Sequence, residues 1–203
     1  VNSQYISPEQ HGFVKGMGIQ GVVGVAQEML EDLKKKVVGS NAILQVDMEK
    51  VYDKIEWSFD IRVMRDLGFH ECVLDLCFFY FSSPWISISL LGKGFGFLKN
   101  VRLVRQGDPL SPTMFLIAQE ALSQNLHRGI LDRRILPYRS QASDGSFSHL
   151  MFADDILIFL NGRKLSLTNL MRIMGAYGTV SGQQINSRKR NVFISTKCPR
   201  RRI

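Results

Sequence analysis

The chain has 203 residues, enough for one domain that buries a core without staples, and its 45% hydrophobic and 22% charged residues exclude a disordered chain. No apolar run approaches the roughly 20 residues that a membrane helix needs. Lys and Arg number 26 against 18 Asp and Glu, a formal +8. Seven of those cations (Arg188, Lys189, Arg190, Lys197, Arg200, Arg201 and Arg202) lie in residues 187–203, where no acid occurs, which leaves 19 against 18 elsewhere. The pI of 9.6 is therefore a property of the tail and does not describe a basic groove across the fold.

In chain order, Val25, Met29, Leu30 and Leu33 recur at helical spacing and predict a helix over 25–36, with lysines at its negative end. The run Ala42 to Val46 is short and apolar and closes on Asp47, which predicts a buried strand ending in an acid. Trp57, Ile61, Met64 and Leu67 predict a helix that stops at Gly68, and 71–81 continues as an apolar helix. Period-two alternation over Ile86–Leu90, then Gly92-Lys93-Gly94 and Phe95–Phe97, predicts a hairpin. Ser111 with Pro112 predicts a capped helix start, with Phe115, Leu122 and Leu126 on one face until Gly129. A second hairpin joins His149–Phe152 to Ile156–Leu160 through Ala153-Asp154-Asp155, and a helix follows over 166–177 with Leu167, Leu170, Met171 and Met174 inward. Helices and short strands mix without βαβ alternation, so the fold class is α+β.

Cys72, Cys77 and Cys198 are odd in number and have no pairing pattern, which predicts reduced thiols in an intracellular protein, nuclear or cytoplasmic. His11, His70, His127 and His149 lie far apart in the chain and match no zinc spacing, so zinc and disulfides are set aside. The chain begins with Val1 and shows no charged-then-apolar leader, which predicts an internal segment that is not secreted. Gly16-Met17-Gly18-Ile19-Gln20-Gly21-Val22-Val23 spells a phosphate-binding glycine motif. No apolar strand precedes it and no ribose-binding acid follows at the required distance, so these are expected to be loop glycines.

Adjacent aspartates flanked by the apolar runs Leu150–Phe152 and Ile156–Leu160 repel each other and lose hydration, and a divalent cation is one remedy. A solvated hairpin turn is the plainer reading of such a pair. Asp47, closing its own apolar strand, shifts the balance, because three carboxylates can converge at one sheet edge in the oxygen environment that Mg²⁺ prefers. Two such ions can promote attack by a hydroxyl and departure of pyrophosphate, which is nucleotidyl transfer.

The string Val46-Asp47-Met48-Glu49-Lys50-Val51-Tyr52-Asp53-Lys54-Ile55-Glu56-Trp57 resembles the D-x-x-K-A-[FY]-D-x-V-x-W element of reverse transcriptases from non-LTR (LINE-type) retrotransposons, in particular the plant-genome lineage. Arg105-Gln106-Gly107-Asp108-Pro109-Leu110-Ser111-Pro112 is similar to that family's next element, and Phe152-Ala153-Asp154-Asp155 to its aspartate pair. Ser181–Asn186 with Lys189 resembles the element after that, and Gly12–Gly16 and Ala26–Glu28 resemble the fingers segment. The resemblance implies a reverse-transcriptase palm with partial fingers, a small antiparallel sheet packed on helices. Residues 1–40 would be partial fingers, 41–186 the palm, and 187–203 a basic tail leading toward a thumb.

By the same resemblance, Asp47, Asp154 and Asp155 are the catalytic acids and metal ligands, with the Met48 carbonyl as a further ligand. Tyr52 would exclude a 2′-hydroxyl, Gln106 and Gly107 would lie against nucleotide and template, and Lys189 would serve the triphosphate. Arg105, Arg188 and Arg190 would contact nucleic acid, while Lys50, Asp53 and Asp108 would hold loops. The implied cofactors are two Mg²⁺, with Mn²⁺ able to substitute, and the partners are an RNA template, a DNA primer and dNTP. No membrane partner is expected, and the sequence gives no oligomeric state. Met17 stands where the family has a phosphate-gripping Arg, Gly21-Val22 replaces Asp-Asn, Val51 replaces Ala and Leu103 replaces Gly. The alternative function is accordingly a catalytically decayed, nucleic-acid-binding remnant.

Overall fold

Nine residues, Asn41–Glu49, form the strand β1 on which the rest is assembled. The structure is a computed structural model that describes residues 5–14, 16, 18–35, 37, 40–49, 54–99, 108–140, 147–186 and 189–195. Ahead of β1 lies helix α1 (Ile19–Asp32); after it come α2 (Trp57–Asp66), α3 (Glu71–Ser82), β2 (Trp85–Leu90), β3 (Lys93–Lys99) and α4 (Ser111–Leu131). The chain continues with β4 (His149–Phe152), β5 (Asp155–Asn161), α5 (Lys164–Ser181), β6 (Gln184–Ile185) and β7 (Asn191–Ile194). β1 pairs antiparallel with β5 from Asn41↔Asn161 to Asp47↔Asp155, and β4 pairs with the far edge of β5. The other edge of β1 is shared: β7 takes Ala42 to Gln45, and β6 takes Met48 and Glu49.

The apolar run of β1, interrupted by Gln45, reflects burial on both faces. Ala42, Leu44, Val46 and Met48 join Phe59 and Met64 of α2, Phe115 and Leu122 of α4 and Leu170 and Met174 of α5 in one cluster, to which β5 adds Ile156, Ile158 and Leu160. Ile43 turns the other way, with Phe159, Leu150 and Tyr138 against Val22 and Met29 of α1. Because strand side chains alternate, Asp47 and Asp155 lie on the same face as Ile43 and Phe159, away from the helical layer. The α+β architecture with a small antiparallel sheet on helices agrees with the sequence reading.

Several elements differ from expectation. Helix α1 starts at Ile19 and ends at Asp32, so Gly18 is its N-cap, and Gly21 and Gly24 are helical rather than loop glycines. A Cβ added at any of the three meets nothing within 4 Å, so no close approach requires them. Burial of Val22 and Met29 outweighs a glycine cost of about 1 kcal/mol per position. Asp47 lies inside β1 rather than closing it, since β6 extends the pairing to Glu49. Met171, expected inward, is 45% exposed; one position past the fully buried Leu170, it borders a cleft with Arg190 and Val192. Ser111 does not cap α4, whose N-cap is Leu110. Asp108 supplies the acceptor instead, taking the Leu110 N–H at 2.9 Å and the Tyr80 hydroxyl at 2.9 Å, which fits the structural role expected of it.

The predicted helices over 57–68 and 71–81 and both hairpins are present. The first hairpin turns at Leu91-Gly92, with φ of 51° and 76°. In α2, Asp60 is fully buried with no hydrogen-bond partner among the described residues, and burial holds its carboxyl well above the ordinary value.

Candidate active site

The β4–β5 hairpin and β1 position the acidic side chains. The turn is only two residues, Ala153 and Asp154, and Ala153 takes the left-handed φ of 52° to close it. The Met48 N–H donates to the Asp154 carbonyl at 3.3 Å, which ties the turn to β1 and brings Asp154 beside the Asp47↔Asp155 pair. Asp47 is buried, whereas Asp154 and Asp155 are exposed. Burial first, then the negative charges of Asp154 and Asp47, raise the Asp155 carboxyl above its usual value, and Lys189 partly opposes them. Three like charges on one sheet edge are thus held by backbone pairing against their mutual repulsion.

Asp47 is gripped from β6 and the residues after it. Asn186 donates its backbone N–H to the Asp47 carbonyl at 2.9 Å and its side-chain amide to Oδ2 at 3.1 Å. Lys189, 70% exposed, places Nζ 3.1 Å from the same Oδ2, and this hydrogen bond and charge raise its ammonium above the ordinary value. Lys189 thus sets a positive charge beside the carboxylates. A flexible lysine with most of its stem in solvent is a reversible occupant of that position.

Behind the turn, Gln119 of α4 donates to the Ala153 carbonyl at 2.6 Å and accepts from Gln10. Gly12 presses its backbone against Ala153 and Phe152 so closely that a Cβ would collide with the Ala153 nitrogen. Gly182, with φ of 79°, closes α5 where a Cβ would strike the Lys54 carbonyl, and so lets the chain turn into β6.

Asp47, Met48, Asp154, Asp155 and Lys189 thus come together. Arg190 is exposed next to Lys189, and its side chain borders the cleft with Leu44 and Val192. Tyr52, Arg105, Gln106, Gly107 and Arg188 lie outside the described residues, as do Met17, Lys50, Val51, Asp53 and Leu103. Asn186, Gln119 and Gly12 carried no role in the sequence reading. Gly12 and Asn186 stood within quoted motifs, but Gln119 gave no signal short of its contact with residue 153.

The histidines require a correction. His127 and His149 are far apart in sequence yet adjacent in space, their rings 5.5 Å apart and edge-on, and both neighbour Glu9. Burial holds the His149 ring neutral, pushing its value down to about 3. Among the described residues, the acid–histidine group whose donor atoms all lie within 4.8 Å of one another is this one.

With the geometry described, comparisons with known proteins are informative. The family described as reverse transcriptase (RNA-dependent DNA polymerase) matches residues 1–200. A retrovirus-related Pol polyprotein from the type-1 retrotransposable element R2 of Popillia japonica is 26% identical over 147 residues, covering 72% of this chain and 23% of that protein. An uncharacterized mitochondrial protein of Arabidopsis thaliana is 34% identical over 80 residues, covering 39% of this chain and 62% of that protein. Among solved structures, telomerase from Candida albicans in complex with a fragment of telomeric RNA superposes with a TM-score of 0.66 at 14% identity, covering 98% of this chain and 34% of that one. Apo telomerase from Candida tropicalis truncated from its C-terminal domain gives 0.65 at 12% identity, covering 93% of this chain and 36% of that one. The chain spans under a quarter of the R2 polyprotein and about a third of the telomerase chains.

Proposed function

The chain belongs to the reverse transcriptase (RNA-dependent DNA polymerase) family, and on that premise we propose that it is the palm, with partial fingers, of a non-LTR retrotransposon polymerase. Its reaction is transfer of a nucleotide from dNTP to a primer 3′-hydroxyl on an RNA template. The observation that carries this reading is the Asp47↔Asp155 register, two carboxylates on one face of the sheet, with Asp154 at the adjoining turn.

Burial first, and then the charges of Asp154 and Asp47, raise the Asp155 carboxyl, and positive charge bound among the carboxylates would offset the part that is repulsion. Two Mg²⁺ ions, or Mn²⁺ in their place, held by Asp47, Asp154, Asp155 and the Met48 carbonyl, would supply polarisation of the attacking hydroxyl and neutralisation of the departing pyrophosphate. The protein's own residues do the positioning. Asn186 fixes the Asp47 carboxylate through the amide bond to Oδ2, and Gln119 fixes the turn through the Ala153 carbonyl. Lys189, 3.1 Å from Asp47 Oδ2 and largely exposed, would be the group to meet the polyanionic substrate beside the carboxylates. By the family resemblance, Tyr52 would guard the sugar, Gln106 and Gly107 would serve the nucleotide and template, and Arg105, Arg188 and Arg190 would engage nucleic acid.

Primer extension on an RNA template with Mg²⁺ or Mn²⁺ tests the reading. Asp154→Asn is expected to lower incorporation by roughly 10²–10³-fold, the scale of losing one preorganised electrostatic group. Equal incorporation by wild type and variant would sink the catalytic assignment. Template binding without extension by either would identify the decayed remnant that Met17 in place of an arginine points to.

A further inference from the structure

Outside the carboxylate face, Glu9, His127 and His149 converge from three elements. Glu9 lies in the segment that docks on β4, where the Met151 N–H donates to the Glu9 carbonyl at 2.9 Å and the His11 N–H to the Met151 carbonyl at 2.9 Å. That segment is also tied to α4, since the Ser7 N–H and hydroxyl both donate to the Glu120 carboxylate at 2.7 Å. His127 stands on α4 and His149 opens β4. All three positions are therefore fixed by backbone pairing or a long helix, the kind of support that a ligand set needs.

The side chains are unusually disposed for a mere ion pair. Glu9 is 4% exposed, and its Oε2 is buried without a hydrogen-bond partner among the described residues. His127 Nε2 approaches Glu9 Oε1 at 2.9 Å but lacks the alignment of a hydrogen bond. His149 is fully buried, with Nδ1 2.6 Å from the Ser148 hydroxyl and Nε2 2.9 Å from that of Ser123. If Nδ1–H donates to Ser148, the Nε2 lone pair accepts from the Ser123 hydroxyl, and the Ser123 side chain must turn to another rotamer to release it. Such an outer hydrogen bond on the remote ring nitrogen is the usual support of a metal-binding imidazole.

We propose that Glu9, His127 and His149 form a zinc site, with water as the fourth ligand. Two imidazoles and one carboxylate suit a borderline transition metal better than Mg²⁺, which takes oxygen donors, so this site differs in chemistry from the aspartate trio. Bonds of about 2.0–2.2 Å in a tetrahedron put donors roughly 3.3–3.5 Å apart. Here one pair stands at 2.9 Å and all lie within 4.8 Å, so closure takes shifts of about an ångström. The ion would clamp the amino-terminal segment to α4 and β4, the strand that runs into Ala153-Asp154.

The test is titration of the metal-stripped protein with Co²⁺, then Zn²⁺, followed by visible absorption and thermal unfolding. The background carries Asp154→Asn and Asp155→Asn with Cys72→Ser, Cys77→Ser and Cys198→Ser, so that the carboxylate face and thiols cannot contribute. The expected result is one equivalent of Co²⁺ with tetrahedral d–d bands, displaced by Zn²⁺, and a higher melting temperature with either metal. Glu9→Gln and His127→Gln are each expected to weaken binding at least about tenfold, by analogy with losses of supporting ligands. His127 is half-exposed on its helix, so its variant keeps the fold, verified by circular dichroism, even if Glu9→Gln does not. Absence of stoichiometric binding, or unchanged affinity in folded His127→Gln, overturns the site and leaves Glu9–His127 as an ion pair.

Discussion

Asp155 shows how far individual side chains could be anticipated. Its type, its aspartate neighbour and its apolar flanks are visible in sequence, and so is the strain they imply. The structure adds causes in order: burial, then Asp154, then Asp47, with Lys189 opposing. A carboxyl raised on folding contributes stability that is complete below its unfolded value of about 3.9 and is lost as pH rises through the folded value. At neutral pH the ionised group therefore costs stability, and Asp155→Asn in metal-free buffer should melt above wild type. Because the residue is exposed, screening limits the gain to about 1 kcal/mol, or a rise of about 2–4 °C for a chain of this size. The difference should shrink as pH falls toward the ordinary carboxylate range and as Mg²⁺ is added; a gap that widens with acid would contradict the repulsion. Asn186 was less accessible to sequence reasoning. Asparagine is common in loops for local reasons, and its bond to Asp47 spans 139 positions that only the fold brings together.

At the scale of elements, periodicity identified what the core confirms. The helices at Trp57 and Ser111 and the β4–β5 hairpin rest on apolar spacing that burial then exploits. Boundaries failed where packing outweighed local preference, as at the glycines of α1 and the extension of β1 through Asp47. The β2–β3 hairpin is the opposite case. Its alternation predicts one buried face, yet every residue from Trp85 to Leu90 and Lys93 to Lys99 is exposed, Trp85 at 63% and Phe97 at 77%. Alternation reports that a face can be buried and carries no information about what would cover it. A two-stranded ribbon without a packed face is marginal alone. Its backbone amides should exchange through local opening, while β1 and β5 wait for global unfolding. Hydrogen exchange should show protection roughly 10³-fold lower over 85–99 than over 41–49 if global stability is about 5 kcal/mol or more. Equal protection would mean that the ribbon is held by contacts beyond those among the described residues.

For the whole molecule, the formal +8 resolves into a balanced body and a basic end, and the structure changes how that end should be tested. Removing everything after residue 187 would seem the direct experiment, but it would also strip β7 from β1 and Lys189 from Asp47. A cut after Ser195 keeps both, while deleting Lys197, Arg200, Arg201 and Arg202. If those four cations each displace one counterion from single-stranded RNA, the slope of log affinity against log salt should become shallower by about 3, at roughly 0.7 per phosphate contact. Binding that remains after the cut, with a smaller slope, would belong to the palm and to Lys189 and Arg190. An unchanged slope would show that the terminal charges are bystanders and that the partner is held by residues 1–195, whose formal charge is 22 minus 18, or +4. The two contributions separate because a carboxylate face binds polyanions through cations it recruits, whereas a tail binds them through charges it carries. Repeating the titration at constant ionic strength with and without Mg²⁺ therefore distinguishes them, since the tail's share should not depend on the metal and the palm's share should.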